Sequence, residues 1–150
     1  GAQVDYAARA PLWQQDRDFD HGTGHGVGCY LSVHEEATSI SRRGDVAFKP
    51  GMLISNEPGF YKDGAYGIRI ENLVLVTVTG QRQDTDRKVK MLAFETVTLA
   101  PIDRRLIDPD LLGEKEREWL NAYHERVRQG LSPYLSPDEE QWLKVATAPL

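Results

Sequence analysis

Apolar and polar residues alternate through residues 67–79, GIRIENLVLVTVT, which predicts the longest strand of the chain. Because successive side chains of a strand point to opposite faces, one face would carry Ile68, Ile70, Val74, Val76 and Val78. The opposite face would begin with Arg69 and Glu71. Buried carboxylates are rare unless they are paired or bind a metal ion. This pattern therefore leaves two interpretations of Glu71, a structural ion pair with Arg69 or a metal ligand.

Two further strands are predicted on either side of this segment. Residues 52–57, MLISNE, form a short strand that ends at Pro58, and the proline favours extended backbone at Glu57. Residues 91–99 form a strand that returns antiparallel to the long one across a charged hairpin loop, Gly80 to Lys90. A carboxylate at the end of a strand, just before a rigid turn, is held in place by its neighbours.

Helical periodicity is found near the start of the chain. Residues 1–15 predict a helix that Pro11 interrupts. Its apolar face would consist of Val4, Ala7, Ala8, Leu12 and Trp13. We expect a loop over residues 35–50, which precede the turn signal Pro50-Gly51.

Two more helices are predicted towards the other end of the chain. Residues 114–129 predict a helix with an apolar stripe that consists of Trp119, Tyr123 and Val127. Leu120 flanks the stripe. His124 lies off the stripe, and we expect it to be in solvent. Ser136 followed by Pro137, with a glutamate at the third helical position, is a favourable helix start. The short helix that follows, to about Val145, would be anchored by Trp142 and Leu143.

Alternating glycines define the segment His21 to Glu35, HGTGHGVGCYLSVHE. Glycine at every second position from Gly22 to Gly28 disfavours a helix and leaves one face of an extended segment bare. On a strand that rises ~3.3 Å per residue, His21 and His25 would be roughly 13 Å apart. Without a sharp bend they cannot ligate one ion together, so we expect one to be a ligand and the other to face a substrate. This spacing alone is a weak motif, and a polar turn is the alternative.

Composition limits the classes of function. A chain of 150 residues can form one domain with a core. A net charge of −5 argues against nucleic acid as a partner, and no apolar run or N-terminal pattern indicates a membrane span or signal peptide. Cys29, the only cysteine, excludes an intrachain disulfide and a cysteine-based zinc site and fits a reducing cytoplasm. We expect its thiol to be a small buried side chain and not a nucleophile.

Three side chains in these extended segments suit one metal centre. His25, Glu57 and Glu71 supply an imidazole and two carboxylates, a set that fits a divalent ion such as manganese, cobalt or zinc. Carboxylates also bridge pairs of ions in two-metal hydrolases.

The motifs HGTGHGVGCYLSVHE, NEPGFY and YGIRIENL resemble the C-terminal half of the catalytic domain of Xaa-Pro aminopeptidases, also called aminopeptidase P. These are "pita-bread" metallopeptidases. The resemblance implies an α+β fold, with a mixed or antiparallel sheet, flanking helices and a helical C-terminal tail. Residues 2–100 would belong to the pita-bread catalytic domain, and residues 101–150 would form its helical C-terminal extension.

The same resemblance implies roles for single residues. His25, Glu57 and Glu71 would bind metal, with Glu57 also shuttling a proton and Glu71 bridging both ions. His21 and His34 would line the substrate site, and Arg69 would support the bridging carboxylate from behind.

Cofactor, substrate and partners also follow from the resemblance. The full-length enzyme would hold two divalent ions, manganese before zinc or cobalt. It would cleave peptides with proline in second position, in the cytoplasm, as a homo-oligomer such as a dimer. It would bind neither nucleic acid nor membrane.

One part of the family pattern is missing. The family also uses two aspartates upstream of the histidine segment; Asp5 and Asp16 have a similar spacing but lie in the wrong segment. We therefore expect a fragment with three of five ligands, inactive alone, with its metal absent or partial and an apolar sheet edge exposed. The alternatives are a non-catalytic pita-bread module that binds proteins or peptides, and a prolidase-type dipeptidase. The tail from Glu114 favours aminopeptidase P over prolidase.

Overall fold

A computed structural model describes residues 1–30, 32–82 and 89–150, without the side chains of Glu36 and Arg82. The chain forms two compact units, Gly1–Thr98 and Leu99–Leu150, here called the sheet unit and the helical unit. Across the described ranges, no helix has both the length and the apolar character needed to cross a bilayer.

The sheet unit combines one helix with antiparallel strands. Its elements are α1 (Ala2–Trp13), β1 (Gly24–Val27), β2 (His34–Ile40), β3 (Leu53–Asn56), β4 (Gly59–Lys62), β5 (Tyr66–Arg69), β6 (Asn72–Arg82) and β7 (Val89–Thr96). Five strands form one sheet in the order β2-β1-β3-β6-β7, and β4 and β5 form a separate hairpin. Every strand pair is antiparallel, which confirms the predicted α+β class.

The core of the sheet unit is formed by side chains of β2, β3 and β6 and consists of Ile40, Ile54, Val74 and Val76. The strand pair β6–β7 confirms the predicted hairpin, although residues 83–88 of its loop lie outside the described part of the chain. Edge strand β7 exposes apolar side chains such as Met91 and Phe94, as expected for an uncovered sheet edge.

The prediction of one continuous strand over residues 67–79 is wrong. The strand breaks at Ile70 and Glu71, so that β5 pairs with β4 and β6 joins the five-stranded sheet. Ile68 and Ile70 are consequently exposed. An alternating pattern shows that a segment is extended but not which strand it pairs with. The break places Glu71 at the junction between the two sheets.

The loop predicted over residues 35–50 is also wrong in its first part, because His34–Ile40 is strand β2. Strand β2 pairs with β1 and lies at the edge of the sheet. Edge strands commonly carry charged residues that discourage pairing with other chains. The sequence of β2, HEEATSI, therefore lacks the apolar run that indicates a central strand.

The first helix of the sheet unit buries polar side chains, whereas the sequence predicted an apolar face. Helix α1 forms in the predicted segment, but the predicted interruption at Pro11 is wrong, because the helix continues through Pro11 to Trp13. Its buried side chains are Asp5 and Arg9. Cys29, expected to be buried, is exposed because β1 ends at Val27 and the thiol lies in the following turn.

The helical unit contains two α-helices and short 3-10 turns. Its elements are 3-10 turns at Arg104–Leu106, Pro109–Leu111 and Ser132–Tyr134, helix α2 (Glu114–Leu131) and helix α3 (Pro137–Ala146). The core is formed by Leu120, Tyr123, Val127 and Leu143. The Glu139 carboxylate accepts the Ser136 N–H at 2.8 Å, which confirms the predicted start of α3.

Two tryptophans are exposed, Trp119 of the predicted apolar stripe and Trp142, which was predicted as an anchor of α3. Trp142 is 62% exposed, whereas Leu143 is buried as predicted. Adjacent residues on a helix point about 100° apart, so both cannot face one core. Trp119 instead lies outside the core and stacks on Tyr123, with ring centroids 5.3 Å apart.

The prediction that His124 lies in solvent is wrong, because its side chain is 0% exposed. The apolar face of α2 is wider than the predicted stripe and includes position 124. His124 Nε2 accepts the Ile102 N–H at 3.1 Å. Burial, and then the charges of Arg104 and Arg128, lower the pKa of His124 below its ordinary value.

Candidate metal centre

Three strands of the sheet unit bring His25, Glu57 and Glu71 together. His25 lies within β1, Glu57 follows the end of β3, and Glu71 precedes β6. Since β1, β3 and β6 are neighbours in the sheet, residues at these positions meet at one place. One donor atom from each of the three residues lies within 4.8 Å of the others, a separation that suits ligands of one ion.

The tautomer of His25 fits a metal ligand. His25 Nδ1 lies 2.8 Å from the Gly26 carbonyl oxygen, and because a carbonyl only accepts, Nδ1 is the donor. In the neutral ring Nε2 then carries the lone pair, and it lies 3.3 Å from Glu57 Oε1. Two acceptor atoms facing each other at this distance need a proton or a cation between them. The donor set therefore fits a divalent ion.

The buried hydroxyl of Ser55 connects the two ligands. It accepts the backbone N–H of His25 at 2.9 Å and donates to Glu57 Oε1 at 3.0 Å. A Cβ atom at Gly24 would lie 1.9 Å from the Ser55 carbonyl oxygen, so only glycine allows the strands to approach this closely. The bare glycine face predicted from the sequence is thus confirmed at Gly24.

Two further histidines, His21 and His34, border an open cavity of about 360 Å³ that His25 also lines. The ring of His34 meets the ring of His25 edge to face, with centroids 4.0 Å apart. His21 lines the cavity with Glu57 and Arg69. The two histidines predicted to face a substrate therefore line one cavity with two of the three predicted ligands, His25 and Glu57.

A directed hydrogen-bond chain orients His21. Its Nδ1 donates to the Gly22 carbonyl at 2.7 Å, so its Nε2 accepts from the Tyr61 hydroxyl at 2.7 Å. Tyr61 Oη in turn accepts from Arg69 Nε at 2.8 Å. This series of hydrogen bonds fixes which ring nitrogen of His21 carries the proton.

Arg69 connects these hydrogen bonds to the carboxylates of the candidate ligands. Its Nη1 lies 3.8 Å from Glu57 Oε2. The hydrogen bond with Tyr61, followed by the charges of Tyr61, Glu57 and Glu71, raises the pKa of Arg69. Its direct contacts are thus with Tyr61 and Glu57, and its interaction with Glu71 is through charge alone.

Sequence reasoning missed Tyr61 and Ser55 as parts of the site. Ser55 lies two residues before Glu57 and so shares its face of an extended segment, a signal that was available. Tyr61 reaches Arg69 only because β4 pairs with β5, with Gly59 opposite Arg69. No periodicity in the sequence shows that pairing.

Two protein-family models match the chain. A model described as "Metallopeptidase family M24" matches residues 1–78, and one described as "C-terminal region of peptidase_M24" matches residues 90–150. The chain belongs to metallopeptidase family M24. The three candidate ligands all lie within the part that the first M24 model matches.

Individual relatives point to one branch of the M24 family. "Probable Xaa-Pro aminopeptidase P" of Coprinopsis cinerea is 47% identical over 155 residues, and its namesake in Tuber melanosporum is 44% identical over 156. Each alignment covers 100% of this chain and 25% of the relative. The chain thus spans about a quarter of the length of the curated relatives that it matches.

A solved structure also matches the whole chain. X-prolyl aminopeptidase from Caenorhabditis elegans, described as a cytosolic enzyme with a di-nuclear active site, superposes with a TM-score of 0.87 at 38% identity. The superposition covers 100% of this chain and 25% of that one. These matches confirm the predicted resemblance to Xaa-Pro aminopeptidases and the predicted pita-bread fold.

Proposed function

We propose that the full-length protein containing this chain is a Xaa-Pro aminopeptidase that removes the N-terminal residue from peptides with proline in second position. The observation that carries the proposal is the convergence of His25, Glu57 and Glu71 donor atoms within 4.8 Å. Membership of the M24 family and the named relatives support the reaction class.

The ligands of this site would be the His25 imidazole and the Glu57 and Glu71 carboxylates, with Glu71 shared between two ions. Bound divalent ions would supply Lewis acidity and activate a water. A set dominated by carboxylate oxygens favours manganese over zinc or cobalt.

Glu57 would move the proton during the reaction. Its Oε1 accepts from Ser55 at 3.0 Å, while its Oε2 lies on the side of Arg69, 3.8 Å away. The carboxylate would take a proton from the attacking water and deliver it to the leaving prolyl nitrogen. The Arg69 guanidinium would help to hold this carboxylate in place on its Oε2 side.

The two cavity histidines would orient the peptide. Among the described residues, no side chain or backbone group hydrogen-bonds the ring nitrogens of His34, so they are available to a substrate. His21 is fixed by Gly22 and Tyr61 and would present a ring of defined tautomer to the same substrate. Pre-oriented groups of this kind lower the entropic cost of reaching the reactive geometry.

Three donors are too few for two ions, since a single structural zinc ion already takes four ligands. We infer that the two aspartates implied by the family resemblance come from another part of the full-length protein. The purified 150-residue chain would then bind metal weakly and cleave no Xaa-Pro peptide. Efficient cleavage by this chain, free of contaminating peptidase, would exclude that inference.

Location and assembly are part of the same proposal. We propose a cytoplasmic enzyme, because its C. elegans relative is described as cytosolic. We also propose a homodimer, since the helical unit exposes the large apolar side chains of Leu106 and Leu111. Cell fractionation and light scattering on the full-length protein test these two points.

The deciding experiment compares three substrates with the manganese-loaded full-length protein. We expect release of the first residue from a Xaa-Pro tripeptide, slower turnover of a Xaa-Pro dipeptide, and none of a matched Xaa-Ala tripeptide. Faster turnover of the dipeptide would indicate a prolidase-type enzyme. Binding of the tripeptide without hydrolysis, at full metal occupancy, would indicate a non-catalytic module.

A further inference from the structure

The buried face of α1 is charged. Asp5 and Arg9 are each 2% exposed, and Arg9 Nε donates to Asp5 Oδ2 at 2.8 Å. Desolvating two charges is costly unless their other hydrogen-bonding atoms are also satisfied. The remaining partners of this pair therefore indicate what it holds in place.

The other partners of Arg9 lie in the segment that leads to His21. Its Nη1 donates to Asp18 Oδ1 at 2.7 Å and to the Phe19 carbonyl at 2.6 Å, and its Nη2 donates to the His21 carbonyl at 2.7 Å. The guanidinium also lies over the Phe19 ring, 3.9 Å from its centroid. One side chain thus fixes the backbone at Phe19 and at His21.

Asp5 fixes the other side of His21. Its Oδ1 accepts the Thr23 hydroxyl at 2.6 Å. The Thr23 carbonyl in turn accepts the backbone N–H of Glu57 at 2.7 Å. The ion pair of α1 is thereby connected to the cavity histidine on one side and to a candidate metal ligand on the other.

The ring of His21 depends on this backbone placement. It packs on Phe19, with centroids 4.9 Å apart, and it must remain within reach of the Tyr61 hydroxyl, 2.7 Å from its Nε2. A shift of about 1 Å in a group that orients a substrate costs on the order of 100-fold in rate.

We propose that Arg9, held by Asp5, is a positioning residue that sets the place of His21 in the substrate cavity. The proposal rests on the proposed function, since it concerns turnover at the same site. Arg9 binds the His21 carbonyl directly, whereas its connection to Glu57 runs through both Asp5 and Thr23, so we expect its main effect to pass through His21. A merely structural ion pair would lower stability without this dependence on His21.

The test uses the full-length enzyme with single and double variants. Arg9→Lys keeps the charge but loses the planar fork that reaches several acceptors at once. Arg42→Lys is the matched control, because Arg42 binds the other oxygen of Asp18 from the exposed side. His21→Ala and the double variant R9K/H21A show whether the effect of Arg9 needs His21.

We expect R9K to lower kcat/KM about 100-fold with unchanged metal content and circular dichroism. R42K should stay within about threefold of wild type, as expected for an exposed ion pair. In the H21A background, R9K should change kcat/KM by no more than about twofold. Wild-type rates for R9K, or the full loss persisting in H21A, would overturn the proposal.

If R9K does not fold, a less disruptive variant tests the same proposal. Thr23→Val keeps the shape of the side chain and removes only its hydrogen bond to Asp5. It should lower kcat/KM by up to roughly tenfold, again only when His21 is present. No loss would overturn the proposal. An inactive wild-type enzyme would refute the proposed function itself, whereas an active wild type with insensitive R9K and T23V refutes only the role of Arg9.

Discussion

The buried polar groups of the two units differ in how completely they are hydrogen-bonded. In the sheet unit, Arg9 and Asp5 satisfy one another and also hold the backbone beside the candidate metal centre. In the helical unit, His124 is equally buried, but it accepts one hydrogen bond from Ile102, and its Nδ1 has no partner in the described part of the chain. Burial of a titratable group therefore does not by itself mark a functional site.

The candidate metal centre is distinguished instead by side chains that converge on a cavity open to solvent. The candidate ligands keep some contact with solvent, with side chains 23% exposed for His25 and 13% for Glu57. A substrate can reach groups at that depth, and their neighbours can still fix them. Completely buried groups position or stabilise their surroundings. The comparison thus predicts losses of activity from one unit and losses of stability from the other.

The largest effect is expected at Glu57. Glu57→Gln in the full-length enzyme keeps the size of the side chain but removes the base, and should lower kcat by roughly 10²–10⁴-fold. The melting temperature of the metal-free protein should change little, because the variant adds no cavity. Metal content is measured alongside, because Glu57 is also a candidate ligand. Asp63→Asn, an exposed carboxylate in the β4–β5 turn, is the control and should retain full activity. A Glu57→Gln enzyme with normal kcat would contradict the assigned role.

In the helical unit, the largest effect should be on stability. Leu143→Ala removes a buried side chain from the core and should cost about 2–5 kcal/mol. Trp142→Ala, one residue earlier but 62% exposed, should change stability by no more than about 0.5 kcal/mol. Denaturant unfolding monitored by circular dichroism compares the two. Equal losses would mean that Trp142 is buried in solution.

The pH dependence of the helical unit should follow His124. Because its pKa in the folded protein is lowered, the unfolded state binds the proton more readily. Its contribution is complete above the unfolded pKa of about 6.5 and is lost as the pH falls through the folded value. Hydrogen exchange of α2, corrected for intrinsic rates, should show weaker protection at pH 5 than at pH 7.5.

His124→Gln is the control for that titration. Its amide oxygen can accept the same Ile102 N–H but does not titrate. Protection of α2 in this variant should depend much less on pH. An identical pH dependence in both proteins would assign the titration to another group.

The smallest effect is expected at the start of α3. The Ser136 hydroxyl donates to Glu139 Oε2 at 2.7 Å, and hydrogen bonds from Ser136 lower the pKa of Glu139. Ser136→Ala should cost about 1 kcal/mol, the ordinary value of a helix cap. The variant is measured by the same unfolding experiment as Leu143→Ala. A loss as large as that of Leu143→Ala would contradict the ranking.

The sequence predicted which side chains meet better than it predicted the sheet that holds them. The meeting of His25, Glu57 and Glu71 could be expected because each lies in a short extended motif with a recognisable order and spacing. Strand β2 was missed because an edge strand carries polar residues, and the break at Glu71 was missed because alternation does not specify strand pairing.

Buried polar groups were the hardest to predict. Asp5 and Arg9 are one helical turn apart, a spacing typical of exposed ion pairs on helices. Nothing in the local sequence shows that Arg9 binds backbone carbonyls as far away as His21. His124 was missed for a related reason, since a polar residue beside an apolar stripe is usually placed in solvent.

The metal centre itself can be tested by anomalous diffraction from crystals of the full-length protein grown with manganese. We expect two anomalous peaks in the cavity bordered by His21 and His34. His25 Nε2 and the carboxylates of Glu57 and Glu71 should lie at about 2.0–2.5 Å from them. Fully occupied manganese elsewhere, with none within ligand distance of these three side chains, would contradict this expectation.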